Sequence, residues 1–276
     1  MVPATGYGLR EPVRGIYDEP ALTGVEITFE QADDPLSLQR YIGDEREFDY
    51  VSVHALKLSV ASADPPRRDY MDALLAIARE NGAVSVSDHL GFTRAGERGA
   101  EMGHFAPPPY THAALDATCR NIDTVMRHFG DLNFFLENIA YTFRFKAEME
   151  EREFLIRTLQ RTGCGWLLDV TNVYANSVNH KYDPYEFIRE VMPFAPRVEM
   201  HLAGGLFNER LSTYVDSHSE PIPKEVWDLY RYSLEQGRGK VEAVFIERDA
   251  NFPDETGWRS EVRTARDIAL EVEART

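Results

Sequence analysis

Nine side chains of this sequence have the types and the placing to hold metal ions. Six of them end short apolar runs: His54 after Val51-Ser52-Val53, His89 after Val84-Ser85-Val86-Ser87-Asp88, Glu137 after Phe134-Phe135-Leu136, Asp169 after Trp166-Leu167-Leu168, His201 after Val198-Glu199-Met200, and Glu247 after Val244-Phe245-Ile246. Roughly one residue in five is His, Asp or Glu, so six such endings in six runs exceed what composition alone delivers. Two stretches that read as loops supply the rest: Asn172 stands three residues past Asp169, and Asp216-Ser217-His218 pairs a carboxylate with an imidazole. Four imidazoles, four carboxylates and an amide exceed what one ion can use. They suit two or three divalent ions, with net positive charge and open positions left for a substrate. Imidazole with carboxylate serves iron, zinc and manganese alike, so the donor types leave the metal open.

Taken singly, each of the nine is as well explained as a hydrogen-bonded loop anchor. Their common place at the ends of strands is what points to one site. His104, His112 and His128 have no such neighbours and read as structural, while Glu26, Glu30 and Asp88 stay open between the two readings. His180, in Val178-Asn179-His180 after the sixth strand, is placed to serve as an extra ligand or as a proton-transfer group in catalysis.

Strands that converge on one mouth need a scaffold to hold them. Helical patterns fall between the runs at 70–79, 111–129, 147–161, 184–192, 224–236 and 258–273; in the first, Met71, Leu74, Leu75 and Ala78 share a face. Gly82, Gly130, Gly163 and Gly237 follow their helices as caps, and Asp183 precedes Pro184 as an N-cap. Two earlier strands, Gly6-Tyr7-Gly8-Leu9-Arg10 and Gly24-Val25-Glu26-Ile27-Thr28-Phe29, bring the count to eight strand-then-helix units. The expected fold is α/β, a (β/α)8 TIM-like barrel forming one domain over residues 1–276, with its site where the strands end. A doubly wound sheet is disfavoured, because no G-x-G-x-x-G follows a strand and no P-loop occurs.

Composition narrows the partners. Against 46 acids stand 30 Lys and Arg, and a formal net charge of −16 argues against a nucleic-acid partner, whose backbone is held by cations displacing counterions. A basic peptide or a metal-neutralised site fits better. Cys119 and Cys164 are too few for a disulfide framework or a thiolate site, so a metal must be held by nitrogen and oxygen. The first residues carry no signal-peptide pattern and no apolar run is long enough to span a bilayer, so the expectation is a cytoplasmic enzyme without a membrane partner.

These residues resemble the multinuclear non-heme iron-dependent oxidase family, the type that acts in methanobactin biosynthesis. The resemblance rests on segments that run almost end to end. Among them are His54-Ala55-Leu56-Lys57-Leu58-Ser59, Ser87-Asp88-His89-Leu90, Pro107-Pro108-Pro109-Tyr110-Thr111, Leu136-Glu137-Asn138, Leu167-Leu168-Asp169-Val170-Thr171-Asn172-Val173-Tyr174, Asn179-His180, His201-Leu202-Ala203-Gly204, Asp216-Ser217-His218 and Ile246-Glu247. It implies a barrel of the xylose-isomerase type that holds two to three iron ions, a mixed-valent Fe(II)/Fe(III) pair among them, with dioxygen as co-substrate. Carried over, His54, His89 and Glu137 hold one iron. Glu137 bridges to a second held by Asp169, His201 and Glu247, and Asn172, Asp216 and His218 form a third position of variable occupancy. It further implies oxidation of a residue, often Cys, in a ribosomally synthesised precursor peptide delivered by a separate leader-binding partner protein. Gly205 stands where the family commonly has His, and Arg248 where an aromatic is common. The competing enzyme reading is an endonuclease IV-like trinuclear phosphodiesterase, which shares nearly this order of ligands but typically has His at the place of Asn172.

Overall fold

The computed structural model describes residues 1–9, 18–31, 48–94, 99 and 101–275. Among these, twelve strands occur in chain order: β1 (Ala4–Tyr7), β2 (Gly24–Thr28), β3 (Tyr50–His54), β4 (Ser85–His89), β5 (Phe92–Arg94), β6 (Glu101–Ala106), β7 (Asn133–Glu137), β8 (Gly165–Asp169), β9 (Val198–Leu202), β10 (Leu206–Asn208), β11 (Thr213–Val215) and β12 (Val241–Ile246). Eight of them pair in parallel in the order β1-β12-β9-β8-β7-β4-β3-β2, and a parallel bridge between Gly8 and Glu26 joins the two ends of that row into a ring. The fold is the expected (β/α)8 barrel. Parallel strands in such a ring are covered on both faces, which is why their sequences read as continuous apolar runs rather than alternations. Phe135, Leu136, Trp166, Leu167 and Leu168 are fully buried accordingly.

Among the described residues, seven α-helices accompany them: α1 (Arg68–Glu80), α2 (His112–Phe129), α3 (Glu151–Thr162), α4 (Val170–His180), α5 (Pro184–Val191), α6 (Lys224–Gln236) and α7 (Glu255–Ala274). Each turns one stripe inward. In α1 the buried set is Met71, Leu74, Ile77 and Ala78, so Ile77 takes the inward place expected of Leu75. Each such side chain contributes about 1.5–3 kcal/mol over leaving it in water.

Three local expectations shift, each for a physical reason. The first strand lies earlier than Gly6–Arg10, at Ala4–Tyr7, because its parallel pairing with β12 runs from Ala4 opposite Ala243 to Tyr7 opposite Ile246; Gly6 within it is glycine because a Cβ there would fall 2.3 Å from the Gly24 carbonyl oxygen. Arg10 lies outside the described residues. The helix expected from 147 begins only at Glu151, since the N–H groups of Glu148 and Met149 are given to the Tyr110 carbonyl at 2.9 and 3.1 Å. The stretch Asp169-Val170-Thr171-Asn172, read as a loop, opens α4; the Asp169 side chain caps it by accepting the Asn172 N–H at 2.7 Å. Two antiparallel hairpins, β5 with β6 and β10 with β11, were not expected; they follow β4 and β9 at the mouth.

Candidate metal centre

Strand register brings the donors to one level. His89 pairs with Glu137 across β4 and β7, Asp169 with His201 across β8 and β9, and Phe245, two residues before Glu247, with His201. Neighbouring parallel strands lie about 4.8 Å apart, within reach of one ion for side chains of this length. The resulting distances are short. His54 Nε2 and His89 Nε2 stand 3.4 and 3.5 Å from Glu137 Oε2, while His201 Nδ1 stands 3.8 Å from Glu137 Oε1 and 3.2 Å from Glu247 Oε2. His218 Nδ1 is 3.4 Å from Glu247 Oε2, and its Nε2 is 2.8 Å from Asp216 Oδ1.

Among the described residues, four sets of three donors have ligand atoms within 4.8 Å of one another: His54, His89 and Glu137; Glu137, Asp169 and His201; Asp169, His218 and Glu247; and Glu26, His201 and Glu247. Glu137 belongs to two of them, one through each neighbour group. Asn172 turns its amide toward Glu137, with Nδ2 3.5 Å from Oε1, and Asp216 enters only beside His218. Glu26, left open by the sequence, is fully buried with Oε2 3.0 Å from His201 Nε2. That contact lets Nε2–H donate to Glu26 and leaves Nδ1 facing the oxygens of Glu137 and Glu247. Lone pairs facing one another in a dry site require a proton or a metal cation between them.

A further test of fit comes from the unused atoms. Among the described residues, Glu137 Oε2, Asp169 Oδ2, Asn172 Oδ1 and His201 Nδ1 are all buried without a hydrogen-bond partner. Buried polar atoms are rarely left so, and four of them in one cluster, all acceptors or ligand atoms, match a site built for cations. Charge acts in the same sense. Burial works to raise the Glu137 carboxyl, but the imidazoles of His89, His201 and His54 together outweigh it and hold it below the ordinary range; Glu247 is held well below by His201 and His218 against the same burial. Asp169 goes the other way, pushed well above by burial and by the charges of Asp216 and Glu137. Burial opposes the charged forms of His201 and His218, yet the acids around them raise both well above the ordinary imidazole value.

The remaining histidines separate. His128 Nε2 lies 3.0 Å from Asp72 on the helices outside the ring, away from the mouth. His112 starts α2. His104, read as structural, is instead on β6, stacked on Phe105 with ring centroids 4.5 Å apart, and lines the cavity above the donors. Phe105 in turn stacks on His89 at 4.0 Å. No apolar period marks this hairpin, so only an aromatic beside a histidine could have signalled it. His180 is set apart from the nine: its Nε2 meets the Tyr141 carbonyl at 2.8 Å and it lines a different cavity with Glu151 and Tyr182. Asp88 and Glu30 serve as anchors. Asp88 accepts the N–H of Leu58 at 2.6 Å, and Glu30 that of Leu56 at 3.1 Å. The cavity over the donors measures about 240 Å³.

The two departures from the family pattern also find places. Arg248 is buried and paired with Glu261 at 2.6 Å, so it faces away from the donors into a local ion pair. Gly205 leaves no room for a side chain, since a Cβ would lie 2.5 Å from the Tyr214 ring.

Fold and site define a class: a TIM barrel whose mouth gathers residues that could hold metal ions. Solved structures share the fold. A D-tagatose 3-epimerase-like protein aligns at TM-score 0.59 with 16% identity, covering 96% of this chain and 98% of its own. A xylose isomerase-like TIM barrel protein from Mycobacterium smegmatis in complex with magnesium aligns at 0.57 with 11% identity, covering 94% and 87%. The chain belongs to the family of RiPP precursor modification enzymes MbnB/TglH/ChrH, whose model matches residues 4–270. Relatives named UPF0276 protein include one from Rhizorhabdus wittichii, 36% identical over 96% of this chain and 94% of its own length, and one from Caulobacter vibrioides, 34% identical over 95% and 92%. Among the described residues no helix is long and apolar enough to cross a membrane.

Proposed function

We propose that this chain is a multinuclear non-heme iron oxidase that uses two to three iron ions and dioxygen to modify a side chain, Cys above others, of a ribosomally synthesised precursor peptide. The observation that carries the reading is the convergence of buried, unpartnered ligand atoms of Glu137, Asp169, Asn172 and His201 at the mouth of a barrel from a family of precursor-modifying enzymes. His54, His89 and Glu137 would hold one ion, Glu137 with Asp169, His201 and Glu247 a second, and Asn172, Asp216 and His218 a third. Bound there, iron supplies one-electron chemistry and positions open to a thiolate and to dioxygen.

The chain's own residues set the conditions for that chemistry. Glu137 directs Oε2 at His54 and His89 and Oε1 at His201, so one carboxylate spans two positions. Glu26 holds the Nε2 proton of His201 and so fixes which nitrogen faces the centre. Phe105, flat against His89, lines one side of the cavity and holds that imidazole's plane. The space, about 240 Å³, admits a side chain on an extended segment rather than a folded one. We assign leader binding to a separate partner protein, as the family resemblance implies. A ribosomal product and reduced thiols at Cys119 and Cys164 fit a reaction in the cytoplasm.

The test is co-expression with a Cys-containing precursor and its partner protein, following peptide mass with and without air. The expected result is a mass change in air that needs loaded iron. An unmodified Cys peptide under air, with iron and partner present, counts against Cys chemistry. A change that persists without oxygen rules out an oxidase.

A further inference from the structure

We infer that α4 is a polar jig for the metal centre, and that Asn179 is the positioning residue that sets the Asp216–His218 end of it. The inference rests on the metal-binding reading above. One face of the helix carries Asn172, Asn176 and His180 at four-residue spacing, so the three lie one above another. Each takes hold of the segment that follows Glu137. Asn172 Nδ2 donates to the Asn138 carbonyl at 3.1 Å, Asn176 Nδ2 to the Ile139 carbonyl at 2.9 Å, and His180 Nε2 meets the Tyr141 carbonyl at 2.8 Å. Asn176 Oδ1 also accepts the Tyr141 N–H at 3.1 Å. His180 is thereby the last rung of a ladder that begins at a candidate ligand.

Asn179, one residue round the helix, reaches in another direction. Its Nδ2 donates to the Tyr214 carbonyl at 2.9 Å and its Oδ1 accepts the Tyr214 N–H at 2.8 Å, the pair of bonds a neighbouring strand would make. Tyr214 is then fixed at two more points. Its ring stands edge-on to Tyr174 of the same helix at 5.1 Å, and its hydroxyl accepts the Gly205 N–H at 2.7 Å. That ring fills the space a side chain at 205 would need.

Asp216 lies two residues beyond Tyr214. On the hairpin just before it Leu206, Phe207, Leu211 and Val215 are exposed, so Tyr214 is the side chain that ties its second strand to α4. His218 sits at φ 47°, a left-handed conformation that costs a non-glycine residue free energy and persists only where the surroundings impose it. Asp249 N–H holds the His218 carbonyl at 2.8 Å and the N–H groups of Ser219 and Glu220 meet the Gly204 carbonyl at 3.0 and 3.1 Å, while the two-way grip of Asn179 fixes the strand that enters this turn. The same helix thus locates Glu137 through one face and Asp216 with His218 through the next.

The test compares wild type, Asn179→Ala, Asn179→Asp, Asn176→Ala and Tyr214→Phe, all full chains expressed without oxygen and loaded with Fe(II). Iron per chain is read by elemental analysis, affinity by competition with a ferrous chelator, and folding by circular dichroism. Asn179→Ala is expected to lose the last-bound ion or to bind it at least tenfold more weakly, with the other ions retained. Asn179→Asp keeps the acceptor for the Tyr214 N–H and should fall between the two. Asn176→Ala, which acts beside Glu137, should not single out the last ion. If Asn179→Ala is recovered unfolded, Tyr214→Phe carries the test, with weakened binding of the last ion expected from loss of the link to Gly205. Equal iron and equal affinity in the folded Asn179 variant, or a proportional loss of every ion, overturns the inference. A wild type that binds no iron overturns the metal-centre reading itself, and the jig with it.

Discussion

Two buried carboxyl groups in this barrel have opposite fates. Glu151, under the cavity that His180 lines, accepts the Tyr141 hydroxyl, and Arg144 donates to that same phenol at 3.0 Å. Burial pushes its carboxyl up to about 7, so it is met by the chain as a neutral or half-charged group. Glu137 is buried as deeply, yet three imidazoles keep it ionised, and among the described residues its Oε2 has no hydrogen-bond partner. Both regions contain His, Tyr or Arg and acids, so composition does not tell them apart. What separates them is whether the polar atoms are used up within the chain: a satisfied network rigidifies, whereas converging unsatisfied acceptors call for a cation from outside.

Breaking the second region should have the largest consequence. Glu137→Ala removes a carboxylate shared between the set with His54 and His89 and the set with Asp169 and His201, and most of the bound metal should go with it, measured as metal per chain after anaerobic purification. Retention of the full complement would place the bridge elsewhere. Stripping the ions with a chelator should lower the thermal midpoint, because each ion bound a thousandfold above its Kd stabilises the fold by about 4 kcal/mol. An unchanged midpoint would mean that the cluster is self-sufficient, as Glu151 is.

The first region predicts a smaller effect with a definite sign. In the folded chain Glu151 keeps its proton to about pH 7, whereas unfolded it releases it near the ordinary value of 4.5. Between these limits the folded state binds the extra proton, so stability falls as pH rises through the window and stays reduced above it. Glu151→Gln, neutral throughout, should raise stability by about 3 kcal/mol at pH 8 and leave it nearly unchanged at pH 4. A gain of equal size at both pH values would show that ionisation is not the cause. The smallest expected effect concerns duplex DNA containing an abasic site. At physiological salt a titration should show no useful binding, since 30 basic residues stand against 46 acids. Tight binding with strand cleavage would replace the oxidase reading by the phosphodiesterase one.

Much of this was legible beforehand. Eight strand-then-helix units follow from apolar runs of strand length, and those runs are continuous because both faces of the ring are buried. Six strand-end donors were visible for the same reason: where a run of buried apolar residues stops on His, Asp or Glu, the polar group lies at the mouth. The helix after Asp169 was hidden by Val170, Thr171 and Val173, residues that favour strands, although Asp169 itself is a good N-cap. Glu26 and His104 were hidden more thoroughly. One lies within a strand rather than at its end, and the other on a short hairpin.

The sequence by itself therefore determined the barrel and the family, and it picked out most of the side chains that meet at the mouth, because backbone periodicity and the chemistry of each side chain are local properties. Only the tertiary structure decided which donors share an ion-sized space, that His201 gives Nε2 to Glu26 and turns Nδ1 inward, and that His180 belongs to a ladder on α4 rather than to the group of nine. Those outcomes depend on strand register and on contacts between residues from 35 to 175 positions apart, such as Asn179 with Tyr214 and Glu26 with His201, and no local pattern encodes a distance of that kind.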